Sequence, residues 1–132
     1  MPKLNLTQRI NQVFNWLKDN FTTPYPVMLV FPSELIDSSI SDSWERSYYA
    51  EIKMVDRNLV IYMSKKKCFK NWDTALETLL HEYAHALDWR SSRIQNDRRH
   101  HGPEWGLYFA MLYEQFYDLG GSDESKEYGI DF

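Results

Sequence analysis

The chain has 132 residues, the size of one domain, and we expect a single domain over residues 1–132. Hydrophobic residues make up 43% of it and aromatic residues 16%, which excludes an intrinsically disordered chain. The net charge is −4 and Cys68 is the one cysteine, so an intrachain disulfide is excluded and broad affinity for anionic partners is disfavoured.

The N-terminal segment has no pattern of a targeting sequence. Residues 1–20 alternate polar and apolar side chains and lack the apolar segment of a secretory signal peptide. No part of the chain approaches the roughly eighteen apolar residues that a membrane-spanning helix requires. We therefore expect a cytoplasmic protein without membrane contact, and a single cysteine suits that compartment.

In chain order, the first half of the sequence predicts one helix and three strands. Apolar residues at helical spacing predict a helix over residues 4–17. Segments rich in strand-forming residues follow at 25–31, 47–55 and 59–64. Residues 56–58 separate the last two segments, which predicts a hairpin.

The second half predicts two further helices. Residues 65–71 are a basic loop, and Asp73 is the predicted N-cap of a strong helix that reaches about residue 89. A polar connection over 91–102 follows. Pro103 is well placed as the first residue of a last helix, which runs to about residue 118. The resulting fold class is α+β with a small three-stranded sheet.

The motif HExxH lies in the middle of the strongest predicted helix, as His81, Glu82 and His85. Residues four apart on a helix lie about 40° apart around its axis and about 6 Å apart along it, so both imidazoles project from one face. Such a pair can bind one Zn²⁺ ion at about 2.0–2.1 Å. Glu82 lies about 100° around the helix from His81, which suits a general base. Leucines beside the motif favour a helix packed into a core over an exposed helix with two histidines by chance.

A catalytic zinc ion usually has three protein ligands and keeps one position for water. The candidates for the third ligand are Asp88, His100, His101 and Glu104. Asp88 lies three residues after His85, where it is better placed to accept an imidazole N–H than to bind the metal. The remaining candidates lie at the entry to the last helix. The residue pattern by itself leaves them open.

The segments ETLLHEYAHALDW and HGPEW together resemble the SprT-like zinc metallopeptidases, a family that includes the Spartan proteases. That family pairs HExxH with a downstream H-G-x-x-[FW] box whose histidine is the third zinc ligand. The resemblance covers about residues 5–118. It implies a compact zincin-like domain with one catalytic Zn²⁺ ion bound by His81, His85 and His101. It also implies hydrolysis of peptide bonds in a protein or peptide substrate by a zinc-activated water, with Glu82 as general base.

The chain departs from the family pattern in one respect. Many SprT proteins carry a C-terminal zinc ribbon with paired CxxC motifs, and a single cysteine cannot form one. The missing ribbon and the negative net charge lead us to expect weak nucleic-acid binding at most.

Three different interpretations of the motif stay open. ImmA/IrrE-like metallopeptidases use a glutamate as third ligand, which would be Glu104, but Gly102 and Pro103 fit the SprT box better. A zinc hydrolase for non-peptide substrates would use the same ligands in a cleft of different shape. A catalytically weak zinc-containing binding module would keep the metal without useful turnover. A structural zinc needs no base, so Glu82 argues against the module.

The fold analogy also predicts how a substrate binds. An extended peptide is expected to add to the edge of the small sheet, because the main chain of an edge strand offers unpaired hydrogen-bonding groups. Residues 59–64 are the candidate edge strand.

Overall fold

The computed structural model describes residues 4–34, 49–89 and 103–118. The elements in these ranges are α1 (Leu6–Asn20), β1 (Val27–Val30), a 3₁₀ turn (Pro32–Glu34), β2 (Ala50–Val55), β3 (Asn58–Met63), α2 (Lys65–Cys68), α3 (Trp72–Leu87) and α4 (Pro103–Asp118). The predicted α+β class with a three-stranded sheet is confirmed. None of the helices in the described ranges has the length and apolar character needed to cross a membrane.

The first helix begins with a reciprocal cap. The side chain of Asn5 accepts a hydrogen bond from the Gln8 N–H at 2.8 Å, and the Gln8 side chain accepts one from the Asn5 N–H at 3.0 Å. These two bonds satisfy backbone donors that the first turn leaves without helical partners. The apolar face of α1 is buried and includes Ile10, Val13 and Leu17.

The sheet has the order β1–β3–β2, with β1 parallel and β2 antiparallel to β3. The predicted hairpin is confirmed, and its turn residues Asp56 and Arg57 have φ values of 49° and 66°. The prediction that residues 59–64 form an edge strand is wrong, because β3 lies between the other two strands. Its nearly continuous apolar sequence suits that central place, since both neighbours and the helices cover it. Among the described strands, β2 is an edge.

Two predicted boundaries are also corrected. Residues 65–71 are not all loop: α2 forms because the Ser64 hydroxyl accepts a hydrogen bond from the Lys67 N–H at 3.2 Å. Asp73 is not the N-cap of α3. The side chain of Asn71 takes that place and accepts a hydrogen bond from the Thr74 N–H at 2.8 Å. Asp73 lies in the first turn, where its negative charge is favourable near the helix N-terminus.

The long helix α3 lies at the centre of the described fold and contacts α1, β2, β3 and α4. Tyr83 anchors the side of α3 that faces α1: its side chain is buried, and its hydroxyl donates to the Phe21 carbonyl at 2.8 Å. Burial raises the pKa of the Tyr83 hydroxyl to about 12, so it stays protonated as a donor. The helix that carries HExxH is therefore held on several sides.

Candidate metal centre

The imidazoles of His81 and His85 lie side by side on one face of α3. Their ring centroids are 5.0 Å apart, with an angle of 67° between the ring planes. Two imidazoles bound at about 2.0–2.1 Å to one tetrahedral zinc ion have ring centroids about 5 Å apart. Both histidines are half-buried, so the pair packs against the fold and is still accessible. The two side chains thus fit two ligands of one metal ion.

Glu82 is a buried acid beside this pair. The residue is 7% exposed, and its Oε1 lies 3.8 Å from Nε2 of His81. Burial, and secondly the negative charge of Glu51, raise the pKa of the Glu82 carboxyl from 4.5 to about 7. A carboxyl with such a pKa can both take up and release a proton near neutral pH. The position therefore suits acid–base chemistry.

Trp105, in the first turns of α4, contacts both imidazoles. Its ring centroid lies 5.0 Å from that of His81 and 5.4 Å from that of His85. Its indole N–H donates to the main-chain carbonyl of His81 at 3.2 Å. Trp105 was not among the predicted site residues, although it is the last residue of the HGPEW box, and that position is the signal that could have found it.

An open cleft of about 380 Å³ leads to His81 and Glu82. One wall comes from the start of β2 and the other from α4, while the preceding turn of α3 extends the floor. The lining residues are Tyr49, Ala50, Glu77, Thr78, His81, Glu82 and Phe109. The cleft therefore lies between the start of β2 and the HExxH helix.

The described part of the chain brings His81, Glu82 and His85 together, but His101 and His100 lie outside the described residues. Among the residues that are described, no group of three His, Cys, Asp or Glu side chains could hold a metal ion. His101 as third ligand stays a prediction.

A model of the SprT-like family matches residues 5–119. That span begins at the N-cap of α1 and includes every described helix and strand. No match was found among curated proteins or among solved structures.

Proposed function

Because the chain belongs to the SprT-like family, we propose that it is a zinc-dependent metallopeptidase. The family is associated with metallopeptidase activity, which supports the proposal. The observation that carries it is the position of Glu82, a buried carboxyl with a pKa raised to about 7, beside two imidazoles at the end of an accessible cleft. A purely structural metal site requires no such acid.

In this proposal, His81, His85 and His101 hold one zinc ion through imidazole nitrogens. When bound, zinc acts as a Lewis acid that polarises the scissile carbonyl and lowers the pKa of water toward about 7. The rings of Trp105 and Phe109 pack beside His81 and shield one side of the imidazole pair from water. The imidazoles are thereby held in a partly dry site.

Glu82 moves the proton. Its carboxylate takes a proton from the attacking water as the water oxygen bonds to the carbonyl carbon. The same carboxyl then gives that proton to the amine nitrogen as the carbon–nitrogen bond breaks. The place of the carboxyl, 3.8 Å from Nε2 of His81 and next to the cleft, suits both proton transfers.

The edge strand β2 gives the substrate a place to bind. The Tyr49 carbonyl accepts a hydrogen bond from the Ser64 N–H at 2.8 Å, so Tyr49 faces β3. Main-chain groups alternate in direction along an antiparallel strand, which turns the N–H and carbonyl of Ala50 to the outer edge. Ala50 also lines the cleft. We infer that an extended peptide pairs with Ala50 and passes its scissile bond beside His81 and Glu82.

The test combines metal analysis with cleavage of an unstructured peptide library followed by mass spectrometry. We expect close to one zinc ion per chain, cleavage that a chelator abolishes, and recovery when zinc is returned. Inability to bind any transition metal, or cleavage that survives complete chelation, would overturn the proposal. A zinc-loaded protein that cleaves no peptide but hydrolyses another substrate class would replace the peptidase with a different zinc hydrolase.

A further inference from the structure

We propose that Trp105 is a positioning residue, which holds the imidazoles of both His81 and His85 in the orientation that binds metal. The inference rests on the proposed zinc site. It assigns a role to a side chain that neither binds metal nor touches the reacting atoms. Three contacts of one indole group carry it: two with imidazole rings and one with the main chain.

The ring contacts restrict both imidazoles at once. The indole lies at 32° to the His85 ring and at 62° to the His81 ring, so it partly stacks on one and meets the other at a steep angle. Phe109 approaches His81 at 6.1 Å and 83°, and it also contacts Trp105 at 5.1 Å. A half-buried imidazole can otherwise rotate about its side-chain bonds, and fixing it on metal binding costs entropy. Rings that are already held reduce that cost.

The main-chain contact fixes where α4 lies relative to the metal site. The His81 carbonyl belongs to the turn of α3 that runs from His81 to His85. A hydrogen bond of 3.2 Å from the Trp105 indole ties α4 to that turn. Trp105 also follows the predicted ligand His101 by four residues in sequence. The same bond thus anchors the helix that comes directly after the proposed third ligand.

The aromatic row along α4 offers a matched control. Phe109 and Tyr113 stack with ring centroids 6.0 Å apart, and the Tyr113 hydroxyl donates to Glu77 Oε1 at 3.4 Å. Tyr113 lies two turns beyond Trp105, on the same helix and in the same interface with α3. Its removal takes away similar aromatic packing without removing a ring that contacts His81 or His85.

The experiment measures zinc affinity by competition with a chromophoric chelator, together with the visible spectrum of the Co²⁺-loaded protein. Trp105→Ala should weaken zinc binding by about 10–100-fold, as losses of groups that orient ligands typically do. Trp105→Phe keeps a ring and loses the hydrogen-bond donor, so it should weaken binding by about 2–10-fold. Both changes should alter the Co²⁺ spectrum. Tyr113→Ala should lower the melting temperature while leaving zinc affinity and the Co²⁺ spectrum unchanged.

Two results would overturn the inference: wild-type affinity in a folded Trp105→Ala variant, or an equal loss of affinity in Tyr113→Ala. Should Trp105→Ala fail to fold, Trp105→Phe decides, and wild-type affinity with an unchanged Co²⁺ spectrum in that variant would count against positioning. Failure of the wild-type protein to bind zinc is a separate outcome, because it removes the proposed metal site itself.

Discussion

The Oε1 of Glu82 lies 3.8 Å from Nε2 of His81, although Glu82 is almost completely buried. Burying a carboxyl costs free energy in its charged form, and Glu51 adds to that cost. A buried carboxyl whose charged form is unfavourable is typical of a functional site, where a raised pKa can assist proton transfer. The free-energy cost of burying Glu82 and its use in catalysis can be measured separately.

Glu82→Gln should abolish turnover and keep the metal. The amide has nearly the same shape but cannot accept the proton of the attacking water, so kcat should fall by about 10²–10⁴-fold. Zinc content should remain near that of the wild type. The measurement is peptide cleavage on zinc-loaded, folded protein. The matched control is Glu114→Gln, which neutralises an exposed carboxyl of α4 outside the cleft lining and should keep turnover within a few-fold of the wild type. Near-normal cleavage by Glu82→Gln would remove Glu82 from the mechanism.

The metal-free protein should become less stable as pH rises. The Glu82 carboxyl has a pKa of about 7 in the folded chain against 4.5 as its ordinary value, so the native state binds more protons between these pH values. The free energy of unfolding should therefore fall from about pH 4.5 to about pH 7 and then level off, with a total fall from this group of about 3 kcal/mol.

Urea unfolding of chelator-treated protein at pH 5 and pH 8 tests this dependence. Groups far from Glu82 titrate equally in wild type and Glu82→Gln, so the difference between the two proteins isolates Glu82 together with the groups coupled to it, Glu51 and His81. Between pH 5 and pH 8, the free energy of unfolding should fall further in the wild type than in Glu82→Gln. An unchanged difference, or a change of opposite sign, would show that Glu82 is not the buried acid described above.

Local rules predicted the parts of the site that lie close together in sequence. The spacing of His81 and His85 on a helix, and the helix start at Pro103, need only geometry within one or two turns. The N-cap of α3 shows the limit of such rules. Asn71 and Asp73 are both suitable caps, and the hydrogen bond that the Thr74 N–H donates to the Asn71 side chain decides between them in the folded chain.

The features that were wrong or missed depend on contacts between distant segments. The continuous apolar run in residues 59–64 is typical of a buried strand, but it does not reveal that β1 pairs with β3 in parallel while β2 pairs on the other side. The hydrogen bond from Trp105 to His81 joins residues 24 apart in sequence. Neither contact leaves a periodic signal within its own segment.

Nucleic-acid binding should be weak. Residues 65–71 contain four lysines. Lys65 forms an ion pair with Glu34 at 2.7 Å, and the Lys67 ammonium lies 5.5 Å from the centre of the Tyr49 ring. Two of the four lysine charges thus already interact within the protein, whose net charge is −4. We expect a Kd weaker than about 1 μM for single- or double-stranded oligonucleotides at about 150 mM salt, measured by fluorescence anisotropy. Tighter binding with a steep salt dependence would overturn this expectation.

Ala50→Pro should impair substrate binding with little effect on the fold. The Ala50 N–H points away from β3, so proline removes no bond of the β2–β3 ladder, and edge positions tolerate proline. It does remove a donor that the proposed peptide strand uses, so kcat/KM for peptides should fall by roughly 10-fold or more.

Met54→Pro is the control for that change. The Met54 N–H points to the same outer edge of β2 as the Ala50 N–H, but Met54 lies four residues, or about 13 Å, farther along the strand. Its kcat/KM should stay close to the wild-type value, while both variants keep a cooperative thermal transition. Equal losses in the two variants would indicate general damage to the sheet, and equal retention would exclude pairing at Ala50.

The third ligand can be assigned by comparing zinc retention in His101→Ala, His100→Ala and Glu104→Ala. His101→Ala should weaken zinc binding at least as much as the roughly 10–100-fold loss typical of groups that only orient ligands, since a metal-binding imidazole is removed outright. His100→Ala should have little effect, because adjacent residues at the entry to a helix point in different directions. Glu104 lies in the first turn of α4, where its charge suits the helix dipole. Glu104→Ala should thus lower stability slightly and keep the metal.

Circular dichroism establishes that each variant is folded before chelator competition is measured. If Glu104→Ala loses the metal while His101→Ala retains it, Glu104 replaces His101 as the third ligand.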